Sequence, residues 1–477
     1  MSLRDDLNRA FDEEWSREQR SGNVVHNRPL LGRKEPLRTA RLFVQANHQR
    51  DGVRTLHHHR GDFYAWTGSH YIEASDSEIR AQVYQLLDGS DCLTKDGSEP
   101  FRPNARLVSE AIDALKAVAI LPDRETAPCW LDEREQPAPA DLIACANGLL
   151  HLPTKKLHDH TPHFYGHHSV EFDYDPAAAV PEHWLAFLAD LWGDDKEAID
   201  TLHEIFGYLL TSDTRQQKVF LLVGPKRSGK GTIARIAKAL LGPENVAGPT
   251  LSGLGTNFGL APLIGKPLAV ISDARLSGRS DQHVIAERLL SISGEDNITI
   301  DRKHRSAWTG TLPTRFLILT NELPRIADAS GALASRFIVL TLTRSFYGRE
   351  DHGLADRLLT ELPGILNWSI TGLERLRDRG YFVQPTSSAE AIAELEDLGS
   401  PIGAFIRDRC TIGPGKSVPC QLLFDAWCTW CEAQKRKDIG TVQTFGRDLR
   451  AAVPGLKAKR PRDGEDRPRA YDGISLG

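Results

Sequence analysis

The sequence predicts an α/β protein built on a P-loop core, with an α+β module before the core and a winged helix after it. Three observations support this prediction. A phosphate-loop motif stands between a strand pattern and a helix pattern near the middle of the 477 residues. Short apolar runs alternate with amphipathic helix patterns downstream of that motif. The C-terminal stretch combines helix patterns with a basic, turn-rich end.

A chain of this length has room for about three domains, and we predict them at residues 1–180, 181–385 and 398–477. Hydrophobic residues make up 40% and charged residues 26%, which is ordinary for a soluble globular protein. No stretch approaches the roughly 18–20 apolar residues of a membrane span. The charged N-terminus lacks the apolar core of a signal peptide. We therefore expect a cytoplasmic protein with no membrane partner.

The central motif is "LLVGPKRSGKGT" at residues 221–232. A strand pattern, "QKVFLLVG", leads into it, and a helix pattern over 231–242 follows. Such a loop wraps phosphates with backbone N–H groups, and the dipole of the following helix favours their negative charge. We predict a nucleotide site formed by Gly224, Pro225, Lys226, Arg227, Ser228, Gly229, Lys230, Gly231 and Thr232.

Within this loop, Lys230 is expected to reach the β and γ phosphates of ATP. The hydroxyl residue that binds Mg²⁺ in such loops usually follows the lysine directly. Here Gly231 follows, and the hydroxyl comes one position later, at Thr232. Thr232 is therefore a weaker candidate for a Mg²⁺ ligand than Lys230 is for a phosphate contact.

Two further apolar strands are predicted to end in polar residues. "GKPLAVISDAR" (265–275) ends near Asp273, which we expect beside the loop strand, in position to hold Mg²⁺. "TRFLILTNELP" (314–324) ends near Asn321. A structural interpretation remains open for both, since Asp and Asn also form turns.

Other segments of the core have distinct patterns. Residues 281–294 read as a helix, and residues 297–313 alternate like a hairpin whose centre contains Lys303 and His304. A last strand is expected in the segment "ASRFIVLTL" (334–342), where it begins just after Ser335 and Arg336. The basic hairpin centre could also be an ordinary solvated turn, and Arg336 could form a surface salt bridge.

This ordered set resembles the superfamily 3 helicases of viruses and mobile elements, and in particular the D5-like and phage P4-type primase-helicase group. The resemblance implies an AAA+ fold and assigns Lys230 to motif A and Asp273 to motif B. It implies that Lys303 and His304 touch DNA in a central channel and that Asn321 senses the γ-phosphate. It also implies that Arg336 is an arginine finger for the ATP of a neighbouring subunit.

Besides Gly231, the sequence differs from the family's pattern at a second position. Motif B of this superfamily often carries two adjacent acids, but Ala274 follows Asp273. The residue that polarises the attacking water therefore stays open between Asp273, Glu322 and Glu295.

The N-terminal region shows helices, such as 105–119, and strands within 61–74. Residues 145–165 resemble the module that precedes D5-like helicase domains. Residues 181–213 predict two or three helices. The family uses such helices as a collar that holds a ring together, although ordinary packing helices would look the same.

The C-terminal end is basic in an otherwise mildly acidic chain of net charge −5. Between Lys435 and Arg469, eleven Lys or Arg face five Asp or Glu, which suggests a polyanionic partner. Helix patterns over 401–410 and 421–434, a recognition-helix pattern over 441–453 and two strands over 456–476 predict a winged helix. Its expected DNA contacts are Arg447, Arg450, Lys457, Lys459 and Arg460.

Together these features predict an ATP- and Mg²⁺-dependent DNA helicase that acts as a hexameric ring in the replication of a phage, plasmid or mobile element. The resemblance implies 3′ to 5′ movement in the cytoplasm of a bacterial host. Partners would be single- and double-stranded DNA, further copies of the chain, and possibly a separate primase or loader.

One alternative is an ATPase initiator that binds origin DNA without processive unwinding. A second is a nucleotide kinase, because adenylate-kinase-like enzymes carry the same GKGT letters. Their loop lies near the chain start, however, whereas some 220 residues precede it here.

Overall fold

The computed structural model describes residues 28–94, 97–133, 136–274, 282–326, 328, 331–436, 439–459 and 469–477. The chain packs as two compact units, one ending at Ala127 and the other spanning Pro128–Gly477. Within the described ranges, no helix combines the length and the apolar character needed to cross a membrane.

The first unit mixes helices with short antiparallel strands. Its described helices are α1 (Pro36–Asn47), α2 (Asp76–Asp88) and α3 (Ala105–Val118). Its strands are β1 (Gln49–Arg50), β2 (Val53–Arg54), β3 (Leu56–His59), β4 (Asp62–Trp66), β5 (Tyr71–Ala74), β6 (Asp91–Thr94) and β7 (Gly97–Pro100). They form a three-stranded sheet, β3-β4-β5, and two hairpins. The helix predicted over 105–119 and the strands predicted within 61–74 are confirmed.

The second unit contains the remaining helices. They are α4 (Glu182–Trp192), α5 (Lys196–Leu209), α6 (Lys230–Leu241), α7 (Gln282–Ser293), α8 (Ala332–Arg336), α9 (Leu354–Thr360), α10 (Leu362–Arg379), α11 (Ala389–Gly399), α12 (Pro401–Arg409), α13 (Cys420–Ala433) and α14 (Val442–Ala452). Helices α4 and α5 confirm the helices predicted over 181–213, and α7 confirms the one over 281–294.

The described strands of the second unit belong to five sheets. They are β8 (Cys129–Trp130), β9 (Leu142–Cys145), β10 (Gly148–His151), β11 (Lys156–His158), β12 (Phe164–Tyr165), β13 (Val219–Val223), β14 (Val246–Ala247), β15 (Leu268–Ile271), β16 (Ile298–Arg302), β17 (Arg305–Gly310), β18 (Arg315–Thr320), β19 (Phe337–Thr341), β20 (Cys410–Pro419), β21 (Lys457–Lys459) and β22 (Ala470–Leu476).

The largest sheet has five parallel strands in the order β14-β15-β18-β13-β19. Strand β13 lies between β18 and β19. Val219, at the start of β13, is opposite Phe316 of β18 and Phe337 of β19. Since the strands are parallel, every strand end meets at one edge of the sheet and every strand start at the other. We call these the carboxyl edge and the amino edge.

Alternate side chains of β13 enter two different cores. Phe220 and Leu222 pack in a cluster with residues of α4, α5, α6 and α10. Val219 and Leu221 pack in a second cluster, which includes Leu289 of α7. A strand buried on both faces is expected to be apolar throughout, and "VFLLV" is.

The packing divides the region that we predicted as one module over residues 1–180. Ile143, Cys145 and Leu150 of β9 and β10 lie in the same cluster as Phe220 of the central sheet. The boundary between the compact units therefore falls at residues 127 and 128. These strands are only four residues long and apolar almost throughout, so their sequence gave no sign of which core they join.

The C-terminal part runs helix, strand, helix, helix, strand, strand, from α12 to β22. Its sheet is antiparallel in the order β20-β22-β21. The helices and the last two strands agree with the prediction, but β20 was missed. Its register against β22 shifts between Ile412 and Ser417, within "IGPGKS", so it lacks the regular alternation that identifies a strand.

Candidate functional site

The loop between β13 and α6 is built around the ammonium group of Lys230. This buried group donates hydrogen bonds to the carbonyl oxygens of Gly224 (2.7 Å) and Pro225 (2.8 Å) and to Oγ of Ser228 (3.1 Å). Burial lowers the pKa of Lys230. The loop therefore curls around one cation at the N-terminus of a 12-residue helix.

The glycines of the loop meet different demands. Gly229 has φ of +89°, and a Cβ there would lie 2.8 Å from Leu191 of α4. A Cβ on Gly224 would lie 2.4 Å from the carbonyl oxygen of Leu342. Both positions require glycine for packing. A Cβ on Gly231 would meet nothing within 4 Å, so the first turn of α6 has an open side.

Asn321 lies directly beside the loop. It follows the last residue of β18, and its Oδ1 accepts a hydrogen bond from Nζ of Lys230 at 3.2 Å. The structure thus brings together two residues that the sequence placed 91 positions apart. The sensing role of Asn321 stays a prediction.

Asp273 comes two residues after β15 and has an exposed carboxylate. The prediction that its strand neighbours the loop strand is wrong, because β18 lies between β15 and β13. Asp273 and Asn321 nevertheless leave the sheet at the same carboxyl edge.

Thr232 lies in the first turn of α6, where its N–H is bonded to the carbonyl oxygen of Gly229 at 3.0 Å.

Arg336 lies at the opposite edge. It directly precedes β19, whose first residue pairs with the first residue of β13. The five residues of β13 lie between the start of β19, next to Arg336, and the phosphate-type loop. At roughly 3.3 Å per residue, this is a separation of about 17 Å. Within one chain, the structure does not bring Arg336 to Lys230.

The guanidinium of Arg336 is fixed at that edge by neutral acceptors. Its Nη1 donates to Oε1 of Gln217 (2.7 Å) and to the carbonyl oxygen of Ser293 (3.2 Å). Lys218 lies close by, and its ammonium donates to the carbonyl oxygen of Ser335 at 2.7 Å. Burial first, and the charge of Arg336 second, lower the pKa of Lys218.

Two of the candidates for polarising the attacking water, Glu322 and Glu295, lie at opposite edges of the sheet. Glu322 follows Asn321 at the carboxyl edge. Glu295 lies at the amino edge, where its carboxylate accepts a hydrogen bond from Thr214. Glu295 therefore cannot act at the loop of its own chain, and that interpretation is wrong for a single copy.

The predicted hairpin is confirmed as β16 and β17. Arg302 pairs with Arg305, so Lys303 and His304 form the two-residue turn, and both are exposed. His304 has φ of +61°, as tight turns require. Ile300 and Trp308 pair across the hairpin, and both pack in the core.

The predicted DNA contacts of the C-terminal part fall on α14 and β21. Arg447 and Arg450 are exposed on α14, whose opposite side buries Phe445 and Leu449. Arg447 is paired with Asp448 (Nε to Oδ1, 2.8 Å), and it lines a groove shared with Arg336.

On β21, Lys457 and Lys459 are exposed, and Lys459 contacts Asp472. Arg460 lies outside the described residues.

Sequence reasoning missed the segment after β19, residues 342–350. Oγ of Ser345 donates to the carbonyl oxygen of Lys226 (2.8 Å), and the N–H of Phe346 donates to that of Arg227 (2.9 Å). The sequence held no signal for these contacts, because their acceptors are backbone carbonyls and because the position of β19 beside β13 is known only from the folded sheet.

Two family models match the chain. Residues 40–193 match the family described as "D5 N terminal like". Residues 222–336 match a family described as "Family of unknown function (DUF5906)". The first match supports the D5-like part of the resemblance and contains residues 145–165. The second begins in the loop strand and ends at Arg336.

Solved structures share the fold. "The apo structure of NrS-1 C terminal region (305-718)" matches with a TM-score of 0.51 and 11% identity, over 93% of this chain and 100% of that one. "The A form apo structure of NrS-1 C terminal region-CTR" matches with a TM-score of 0.50 and 12% identity, over 92% and 100%. The similarity of fold therefore extends over nearly the whole chain.

Proposed function

We propose that this chain is an ATP-dependent DNA helicase of the D5-like, superfamily 3 class, acting in the replication of a phage, plasmid or mobile element. The observation that carries the proposal is the separation of two cations across one parallel sheet. Lys230 lies in a phosphate-type loop at the carboxyl edge, and Arg336 lies at the amino edge. Such a separation suits an ATP site that two copies of the chain share.

The loop fits the triphosphate of ATP. Lys230 already has four oxygen atoms around its ammonium group, so phosphate oxygens would exchange with ligands of the same kind. The open side at Gly231 leaves the first backbone N–H groups of α6 accessible to an anion. In this proposal Lys230 binds the β and γ phosphates, and Asn321 orients both Lys230 and the γ-phosphate.

The residues near the loop also fit Mg²⁺, which prefers oxygen ligands. Thr232 offers a hydroxyl and Asp273 a carboxylate, and we propose that these two hold the ion together with the nucleotide. When bound, Mg²⁺ neutralises charge on the phosphates and so assists their transfer to water.

Arg336 completes the site in a neighbouring copy of the chain. A guanidinium stabilises the charge that develops on the transferred phosphoryl group, so hydrolysis depends on how two copies meet. That dependence couples each hydrolysis to a movement between subunits. A ring, which we propose to be hexameric, closes such a head-to-tail interface.

The exposed hairpin turn is proposed as the grip on DNA. Lys303 carries a point charge that attracts phosphate without reading sequence. Because the base of the hairpin is packed beside α7 and β18, a shift of the core would move its tip. By family resemblance, the strand would move through the ring in the 3′ to 5′ direction.

The C-terminal part is proposed as a winged helix that adds DNA affinity. Its order of helices and strands supports this, as do the exposed Arg450 and Lys457. Replacing both with alanine is expected to lower the slope of log K against log salt by about 2, since about one counterion is released per phosphate contact. A slope unchanged from wild type would show that this part binds something other than DNA.

Strand displacement tests the proposed function. A forked duplex with a labelled strand should be separated with ATP and Mg²⁺, and not with a non-hydrolysable analogue. ATP-dependent melting confined to a duplex of a few base pairs would favour the origin-binding initiator instead. Phosphate transfer to a nucleoside monophosphate, without stimulation by single-stranded DNA, would identify a kinase.

A further inference from the structure

We propose that Tyr347 stacks on the base of the bound nucleotide and makes the loop a site for purine nucleoside triphosphates. This inference rests on the proposed ATPase function of the loop and adds the recognition of the base. It concerns the segment over residues 344–350, which the sequence had not singled out.

The segment is fixed to the outer side of the phosphate loop at three points. Ser345 donates to the carbonyl oxygen of Lys226 and Phe346 to that of Arg227, as described above. The side chain of Arg227 also pairs with Glu350 (Nε to Oε1, 3.4 Å). One side-chain hydrogen bond, one backbone hydrogen bond and one ion pair hold seven residues against two consecutive loop positions.

Tyr347 lies at the centre of this fixed segment, yet its side chain is 77% exposed. No other large apolar side chain among the described residues is recorded as more exposed. Gly348 follows with φ of +76°, and the N–H of Tyr347 is bonded to Oγ of Ser345 at 3.3 Å. A local turn therefore holds an aromatic ring in solvent beside the loop, where a ligand that covered the ring would remove apolar surface from water.

The order of the strands determines on which side of the loop a base would lie. Asn321 and Asp273 follow β18 and β15, so the γ-phosphate and its metal belong on that side of β13. A nucleotide is an elongated molecule that crosses the loop, so its base belongs on the other side, toward β19. The segment with Tyr347 directly follows β19.

The C-terminal turn of α4 borders the same place. Nε1 of Trp192 donates to the carbonyl oxygen of Thr341 (2.9 Å), and Nη1 of Arg344 donates to that of Asp190 (2.9 Å). These bonds join the end of α4 to the segment on the β19 side, and Leu191 of α4 packs on Gly229 of the loop. The end of α4 therefore lies beside the segment that carries Tyr347, on the β19 side of the loop.

A tyrosine ring recognises a base by its face. Stacking favours the larger purine rings over pyrimidines and does not distinguish adenine from guanine. We therefore expect ATP and GTP to bind more tightly than CTP and UTP, and all of them more tightly than inorganic tripolyphosphate, which has no base.

Titration calorimetry with the full chain and Mg²⁺ tests this assignment. Tyr347→Ala should raise the Kd for ATP about tenfold, while Tyr347→Phe should leave it within about twofold of wild type. The Kd for tripolyphosphate should be the same in all three proteins. Tyr381→Ala serves as the matched control, because Tyr381 is also exposed (61%) but lies at the amino edge, next to Gly380, which binds Gln216.

The outcomes separate this inference from the ATPase proposal. An unchanged Kd for ATP in Tyr347→Ala overturns the base contact and leaves the loop assignment intact. An equal weakening of ATP and tripolyphosphate also overturns it, because the ring would then only support the loop. If wild-type protein binds neither ligand, the proposed function itself fails.

Discussion

The two edges of the central sheet each hold a cation, but in different chemical settings. At the carboxyl edge, Lys230 is surrounded by oxygens of a loop that is open at Gly231. At the amino edge, the described partners of the Arg336 guanidinium are a side-chain amide and a backbone carbonyl. The first setting suits an anion bound within the chain, whereas the second presents a charge that one chain cannot bring to its own loop.

A second arginine at the amino edge shows what a purely structural role looks like. Arg315 is 2% exposed, and its guanidinium donates to the carbonyl oxygens of Leu209 (3.0 Å) and Asp213 (3.3 Å) and lies over the ring of Tyr208. Burial lowers the pKa of Arg315 to about 10. Arg336 is only half-buried, so its charge remains available to another molecule.

The largest effect is expected at the carboxyl edge. Lys230→Ala should reduce ATP hydrolysis by about a thousandfold or more, because it removes the cation that we propose contacts the transferring phosphates. Phosphate release measured at saturating ATP tests this. Lys238→Ala is the matched control, since Lys238 is exposed in the last turn of the same helix. Hydrolysis retained in Lys230→Ala would remove the loop from the reaction.

The next effect sharpens the contrast between the edges. Arg336→Ala should lower kcat by about a thousandfold and leave the Kd for ATP unchanged, since we propose that the guanidinium acts on the transition state in a neighbouring copy. Calorimetry and steady-state kinetics measure the two quantities. Arg235→Ala, an exposed arginine on α6, is the control. A weakened Kd with normal kcat would mean that Arg336 supports the fold of its own chain.

A smaller loss is expected at Asn321. Asn321→Ala removes one hydrogen bond to Lys230, so kcat should fall about tenfold with little change in KM. Asn321→Asp gives a further test, because a carboxylate would hold Lys230 more tightly and repel the γ-phosphate. Faster hydrolysis in either variant would contradict the sensing role.

The hairpin lies outside both edges of the central sheet. Changes in it should therefore affect movement along DNA more than ATP hydrolysis. Lys303→Ala is expected to slow strand displacement about fivefold and to spare hydrolysis in the absence of DNA, because it removes one phosphate contact. Thr309→Ala, which changes the middle of the hairpin and breaks the contact with Thr299 (3.2 Å), is the control. Equal unwinding by Lys303→Ala and wild type would show that another surface grips DNA.

The sequence predicted the elements of the core better than their arrangement. Strands β13, β15, β18 and β19 could be located because buried parallel strands are short apolar runs. Their order could not, and Asp273 was therefore expected one strand too close to the loop. Periodicity identifies a strand but carries no information about its neighbours.

The elements and contacts that the sequence did not predict have similar causes. Strand β20 shifts its register within "IGPGKS", which hides its alternation. The segments that contain Cys145 and Leu150 have the sequence pattern of ordinary short strands. Only the folded chain shows that these two residues join the core of the central sheet. The contacts of Ser345 and Phe346 with the loop depend on backbone carbonyls, which no side-chain pattern encodes.

Mixing two inactive variants tests the shared site most directly. Lys230→Ala and Arg336→Ala should each fail to hydrolyse ATP alone, and mixtures should regain activity wherever an intact loop meets an intact arginine. Activity is expected to peak near equal proportions, at about a quarter of wild type if subunits exchange at random. No recovery at any ratio, with mixed assemblies verified by differential tags, would contradict a site built from two copies.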